Sequence, residues 1–517
     1  MKKFFSLLIL LALAAALTAG CGGDKKPEPQ RNAGRVFTFG DTTFNAENEE
    51  PDVNPHNAYA GWACIRYGIG ETLFRYNDKM EQEPWLAEGF ELVDDLTWKI
   101  RLRDDVAFSN GRKMDAQAVK ECLEQLIKVH RRARGNLNLA AMEADGQILT
   151  LKTSEPEPSL LNYLGNPYGC IIDVQAGITP DGIVAGTGPY VAKKVIPSQR
   201  VELEPNEKYW GGKPQMEKIF VQTISNGDTL VAALQSGQID AAYGIPYASY
   251  PLFQSDKYKF TGTATSRVFF GQVNFASPIM QDKAVRRAIA LGVDKGAFVK
   301  TLLWGYGEVA TGPFPDNFTF GGKNLRTEGF DPEKAKAELE AAGWKDTDGD
   351  GIREKNGRKL RVRWLTYPSR QELPLLAEAA QSDLKKLGID LIVNNTADHN
   401  GVVKDPKAWD IYVSAFVTCG TGDPLNFFST VCLDSSTKNR GGYHSDRVEA
   451  LAQEMKGTFD RQKRGELAVQ IQQELLDDAA FCFFSFLKMS MINKAEVQGL
   501  KAHTSDYYEI TKDLSFK

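Results

Sequence analysis

RVFFGQVNFASPIMQDKAVRRAIALGVD, residues 267 to 294, stands near the middle of a 517-residue chain and decides how the rest is read. Val268 to Phe275 is rich in β-branched and aromatic residues and too short for a core helix, so it predicts a buried strand. A helix follows. Asp282 can cap it, and Ala284, Val285, Ala288, Ile289 and Leu291 fall on one face while Arg286 and Arg287 point away. Asp294 can cap the next helix. Such a unit fits the inside of one domain or the place where a chain crosses from one lobe to another, and the flanking segments favour the crossing.

Residues 1–20 have the pattern of a signal peptide. Lys2 and Lys3 precede an apolar run, Phe4 to Leu17, too short to span a bilayer comfortably, and Thr18-Ala19-Gly20 forms a small-residue cleavage site. Cys21 directly after it resembles the bacterial lipoprotein signal, in which that thiol is lipidated. Residues 21–35 are polar, bear Pro and Gly and lack periodicity, as a flexible tether does. The expectation is a protein outside the cytoplasm, attached to the membrane through a lipid anchor only. No other apolar run approaches transmembrane length. The formal charge of −5 and the lack of a Lys/Arg block argue against a nucleic-acid partner. The six cysteines other than Cys21 allow 15 complete pairings, and Cys419 with Cys432, bracketing one loop, is the first pair to expect.

Along the mature chain, RVFTFG reads as a strand, and a long polar loop leads to GWACIRYGIGETLF. There Trp62, Ile65, Ile69 and Leu73 repeat at helical spacing, with Arg66 and Tyr67 off the stripe. A helix entered through a long loop can present residues to a cleft, which makes Tyr59, Trp62 and Arg66 candidates; core packing is the competing role for each aromatic. FELV and TWKIRL read as two strands joined by an Asp-Asp turn. Asp115 to Arg134 reads as an amphipathic helix ended by Gly135. Val362–Leu365 and Ile389–Val393 flank a helix centred on Leu376 to Leu387, a βαβ-like unit, and Phe481 to Met491 is an apolar run of strand type.

The segment PWLAEGFELVDDLTWKIRLRDDVAFSNG, residues 84–111, resembles the hallmark of the peptide/nickel solute-binding family of bacterial ABC importers. The resemblance continues through Gly186-Thr187-Gly188-Pro189-Tyr190, Tyr209-Trp210-Gly211-Gly212-Lys213-Pro214, Ala233 to Asp240, the mid-chain stretch, Asp331-Pro332-Glu333-Lys334-Ala335 and Gly343-Trp344. It implies an α/β, two-lobed periplasmic-binding-protein-like fold with two crossing hinge strands and an extra subdomain on the first lobe. Carried over, lobe I is 36–80, 187–266 and 488–517, the extra subdomain is 81–186, and lobe II is 267–487. It also implies permease subunits as partners and a monomer that closes on its solute.

Phe108-Ser109-Asn110-Gly111, Gly351 to Gly357 and Gly61-Trp62 with Arg66 to Phe74 are similar to the nickel branch. That implies nickel, or a related divalent metal, carried as a histidine- or opine-type chelate and no permanent cofactor. A dipeptide or oligopeptide is the alternative solute, with Asp423 holding the peptide amine. Two arginine-bearing places can face a cleft. His130-Arg131-Arg132-Ala133-Arg134 ends a helix, where Arg132 or Arg134 either complements the helix dipole or grips a carboxylate. Ser435 to His444 is a polar, Gly-rich loop in which Asn439, Arg440 and Tyr443 either face the cleft or line a solvated loop. His444 is the nearest histidine to the place where some members of that branch add one metal ligand. The five histidines are otherwise dispersed, without metal-site spacing, and no nucleophile motif, phosphate loop or dinucleotide fingerprint occurs, so an enzyme is not expected. Asp346-Thr347-Asp348-Gly349-Asp350 begins like a calcium loop, but its twelfth position is Gly357, which favours a structural turn.

Overall fold

The structure is a computed structural model and describes residues 35–42, 44, 52–57 and 60–517. Among the described residues the principal sheet has 11 strands. Its order is Asp390–Asn395, Arg361–Thr366, Ile411–Val417, Tyr258–Val273, Phe481–Lys494, Ala241–Tyr243, Val36–Asp41, Lys218–Thr223, Arg200–Pro205 and Tyr190–Ile196, with Gly307–Val309 added along Phe481–Lys494. The two long strands in the middle, Tyr258–Val273 and Phe481–Lys494, run antiparallel and join the two halves. The mid-chain strand begins ten residues before the predicted Val268. Its first half is polar and half-exposed, so its sequence lacks a buried-strand pattern; pairing such as Thr261 with Met491 holds it in the sheet.

The register shifts between Ala264 and Val268. In this bulge Thr265 donates its hydroxyl to the Leu487 carbonyl (2.6 Å), and the Arg267 N–H donates back to that hydroxyl (3.2 Å). Bulges re-aim side chains, and this one directs Arg267 toward the space between the halves.

Beyond the crossing, Asp282 caps the helix Lys283–Gly292 by accepting from the Ala284 N–H, and Asp294 accepts from the Ala297 N–H. Arg286 does not point to solvent as the helical pattern predicted. It is buried and donates to the carbonyls of Met280, Gln281 and Asp478, clamping the helix start to the turn before the return strand. Arg361–Thr366, Glu372–Lys385 and Asp390–Asn395 form the expected βαβ unit, with Val362 opposite Leu391 in parallel register.

A separate antiparallel sheet of four strands contains Ala87–Asp94 and Thr97–Leu102. Trp98, Ile100 and Leu102 are buried while Lys99 and Arg101 face out, as their alternation requires.

Two predicted helices are shorter than their patterns. The helix of Trp62 spans only Ala60–Arg66, because Gly68 takes φ +69° and the Ile69 N–H turns back to the Cys64 carbonyl. The helix from Asp115 stops at Val129: His130 is extended, and its Nδ1 accepts from the Ala133 N–H to start a second helix, Arg131–Leu137. The six cysteines among the described residues are buried and unbridged, and Cys419 and Cys432, expected as a pair, show no thiol neighbour in any described contact.

Candidate solute-binding cleft

The floor between the two halves is a buried charge network. Arg66 reaches Asp41 (3.2 Å), Glu509 (3.1 Å) and Asp506 (4.0 Å), and Arg267 reaches Asp506 (2.9 Å). Tyr67 donates its hydroxyl to Asp41 (2.8 Å). Burial pushes the Glu509 carboxyl well above its ordinary range, although Arg66 opposes the shift. Two guanidiniums face the carboxyl groups of Asp41, Asp506 and Glu509, the close pairing that a desolvated cluster needs. Trp62 covers it. Its indole N–H donates to the Asp506 carbonyl (2.9 Å), and its ring lies 4.7 Å from the Arg66 guanidinium and 5.8 Å from that of Arg267.

Above this floor lies a cavity of about 280 Å³. Tyr243, Tyr247, Arg370, Glu372, Arg267 and Asp506 are among the residues that line it. Burial raises the pKa of the Glu372 carboxyl, against the opposing pull of Arg370 and Arg267.

The rim is basic. Arg132 comes from the short second helix, and Lys438 and Arg440 from the loop before the helix Asp446–Lys456. Lys438 is solvent-accessible but recessed: desolvation first, then the charges of Arg132 and Arg440, lower its pKa. Its ammonium lies 4.9 Å from the Phe416 ring. Arg440 adds to burial in lowering the pKa of His399, whose ring stacks on Tyr367 at 4.1 Å and whose Nδ1 meets the Tyr412 hydroxyl at 2.7 Å. Among the described residues no carboxylate forms an ion pair with Arg132, Lys438 or Arg440. Three neighbouring like charges without a carboxylate partner among the described residues create a local field that favours an anion.

A family model for bacterial extracellular solute-binding proteins, family 5, matches residues 81–439. The chain belongs to this family. It is an ABC-importer solute-binding protein, and its matches are to transport binding proteins, not enzymes. The family 5 chain is 27% identical over 450 residues to the nickel-binding protein NikA of Staphylococcus aureus, covering 86% of this chain and 89% of that one. It is 26% identical over 553 residues to the oligopeptide-binding protein AppA of Bacillus subtilis, covering 99% and 98%. The solved structure of S. aureus NikA in complex with Ni(L-His)2 superposes with a TM-score of 0.76 at 25% identity, covering 94% of this chain and 100% of that one. Family 5 proteins are extracytoplasmic, and no helix among the described residues is long and apolar enough to cross a membrane.

Of the residues singled out in the sequence, Arg132 and Arg440 stand near Lys438, and Trp62 covers the buried charge network. Arg66 lies beneath Trp62, bound into the buried network and not extended as a free arm. Tyr59 and Cys21 lie outside the described residues.

The others have structural partners. Arg134 donates to the carbonyls of Ile127 (2.7 Å) and Lys128 (2.6 Å), satisfying the end of the preceding helix. Asp423 is buried against Arg464 and accepts the Ser159 hydroxyl (2.8 Å), so it cannot meet a peptide amine without losing both. Asn439 closes its own loop on the backbone of Tyr443. Tyr443 is buried against Phe275 and Phe481 and donates its hydroxyl to Asp478 (2.7 Å). His444 is exposed and held between Asp434 (2.9 Å) and Asp446 (3.4 Å).

Lys438, Arg370, Arg267, Tyr367 and His399 were missed. Lys438 stands in the Ser435–His444 loop that had been singled out, two residues before Arg440, and was readable on the same grounds; the other four carry no local pattern. The one cluster with metal-ligand spacing among the described residues is Asp346, Asp348 and Glu354, exposed and away from the cleft. Lys359 already fills it, its ammonium 2.6 Å from Asp348 and 2.9 Å from Asp350.

Proposed function

We propose that this chain captures a small anionic chelate of a divalent metal, nickel foremost, between its lobes and delivers it to the permease subunits of an ABC importer. The single observation that supports the reading is the group of Arg132, Lys438 and Arg440, close together and without a carboxylate partner among the described residues, which the proposal takes as the rim of the cleft. A metal entering such a place brings its own donors, and the protein grips the carboxylates of the chelator. S. aureus NikA, a relative across most of the chain, has been solved with Ni(L-His)2.

The same proposal takes 36–80, 187–266 and 488–517 as one lobe, 267–487 as the other and 81–186 as the subdomain that carries Arg132. It takes the protein as a monomer tethered through Cys21. The peptide reading draws on the relation to AppA, but the Asp423 carboxylate that would hold a peptide amine is bound to Arg464.

Calorimetric titration separates the two. Ni²⁺ with L-histidine binds tightly, while Ni²⁺ alone, L-histidine alone and a mixed peptide library bind weakly. Tight binding of peptides with no response to the nickel chelate overturns the proposal.

A further inference from the structure

Three of the buried cysteines meet below the cleft. Cys64 belongs to the helix Ala60–Arg66 that carries Trp62 and Arg66, and Cys170 follows the turn Pro167–Gly169 on the path back from the four-stranded sheet. Gly70 lies between them. Its N–H donates to the Cys64 carbonyl (3.2 Å), and the Ile171 N–H donates to the Glu71 carbonyl (2.8 Å), so the three backbones run side by side. A Cβ on Gly70 would stand 2.7 Å from Cys64 Sγ, 3.0 Å from Cys170 Cβ and 3.4 Å from Cys170 Sγ. Both sulfurs thus flank one point, which glycine alone leaves open.

Cys122 is turned differently. Its sulfur accepts the Ile172 N–H (3.4 Å), points to the Cys170 carbonyl (3.8 Å) and meets His56 Nε2 (3.6 Å). Cys419, Cys432 and Cys482 have no thiol neighbour in any described contact.

We propose that Cys64 and Cys170 form a disulfide in the mature protein, clamping the helix beneath the cleft to the segment that returns from the four-stranded sheet and leaving Cys122 a free thiol. The inference rests on the extracytoplasmic placing of the family, where disulfides form and persist. The oxidant is a disulfide-bearing thiol oxidant of the envelope. One cysteine thiolate attacks its disulfide, forming a mixed disulfide and expelling one oxidant thiol. The second cysteine thiolate then attacks the protein sulfur of that mixed disulfide, closing the Cys64–Cys170 bond and expelling the other oxidant thiol. Two electrons and two protons pass to the oxidant, which leaves as a dithiol. Burial, and then the neighbouring Cys64 thiol, hold the Cys170 thiol well above its ordinary range, so the exchange belongs to folding, before the site closes. The bond closes a loop of roughly a hundred residues, the size for which constraint of the unfolded chain is large.

The test is a thiol map of the full chain recovered from the cell envelope, denatured in N-ethylmaleimide without reductant and digested for mass spectrometry. The peptides of Cys64 and Cys170 are expected joined, separable by reductant, with Cys122 carrying maleimide. Cys122→Ala should keep the link and Cys64→Ala should leave Cys170 labelled. The same map on reduced chain refolded with oxidised and reduced glutathione tests the pairing apart from the location. Maleimide on both Cys64 and Cys170 in both preparations, or a bridge through Cys122, overturns the pairing. A link in the refolded chain alone overturns its formation in the envelope.

Discussion

Replacing Arg440 by alanine separates binding from folding because of how that side chain is placed. Arg440 is exposed, and only its backbone N–H is fixed, donating to Gln272 Oε1 at 3.1 Å. Removing the guanidinium orphans no buried group, so the ligand-free protein should keep its stability to within about 0.5 kcal/mol. Binding should suffer. A charge-assisted hydrogen bond to a carboxylate contributes about 1.5–3 kcal/mol, and at ~1.4 kcal/mol per tenfold that is roughly a ten- to hundredfold loss of affinity for Ni²⁺ with L-histidine.

Repulsion among the neighbouring cations moderates this figure. Arg440 and Arg132 both push against Lys438, and relieving that repulsion in the free protein leaves the net loss nearer the lower end. Arg440→Lys keeps the charge without the planar fork and should fall between parent and alanine. Calorimetry at two salt concentrations gives the affinities, and a thermal melt gives the stability. Parent-like affinity for Arg440→Ala at low salt would return the loop to solvent and refute the rim as an anion clamp.

Asp423→Ala should behave in the opposite way. It strands Arg464 in a buried setting at a cost of about 3–5 kcal/mol, while chelate affinity measured below the melting range stays at the parental value; a large affinity loss with intact stability would restore Asp423 to the cleft. His56 is held neutral, its pKa lowered to about 4 by burial first and His130 second. Above pH 6.5 folded and unfolded states are both neutral there, and below it only the unfolded state takes the proton. Stability should therefore fall by about 3 kcal/mol between pH 6.5 and 4 on this account, and His56→Gln should flatten that slope in urea titrations; equal slopes would reject it. Calcium at millimolar concentration should leave the melting temperature of the parent unchanged, because the Lys359 ammonium occupies the acidic turn at Asp348 and Asp350; a calcium-dependent rise would show that the ion displaces it.

Elements with a clear period were readable. In Thr97–Leu102 the alternation of Trp98, Ile100 and Leu102 with charged neighbours has one solution on a sheet with one covered face. Places where an amphipathic pattern continues through a break were not. Val129 and Ala133 prolong the helical pattern from Asp115, and only the capping bond from Ala133 to His130 Nδ1 reveals the interruption. That interruption starts the short helix that carries Arg132 and lets Arg134 close the helix before it. Tyr443 misled for a different reason. A tyrosine in a Gly-rich loop reads as a cleft aromatic, but Asp478, 35 residues on, takes its hydroxyl and Phe275 and Phe481 take its ring.

The contrast between Arg66 and Arg440 explains why the site itself was only half legible. A guanidinium out of water costs several kcal/mol unless carboxylates surround it, so a buried arginine arrives with its partners already in the chain. Arg66 has Asp41, Asp506 and Glu509, from segments more than 400 residues apart, and no local pattern announces such a network. An arginine meant for a solute must remain wet and unpaired until the solute comes. In sequence it is then indistinguishable from any arginine on a solvated loop, and only the approach of Arg132 and Lys438 sets it apart. Burial therefore marks the cations that build the floor, and unrelieved repulsion among exposed cations marks a place where an anion would be stabilised.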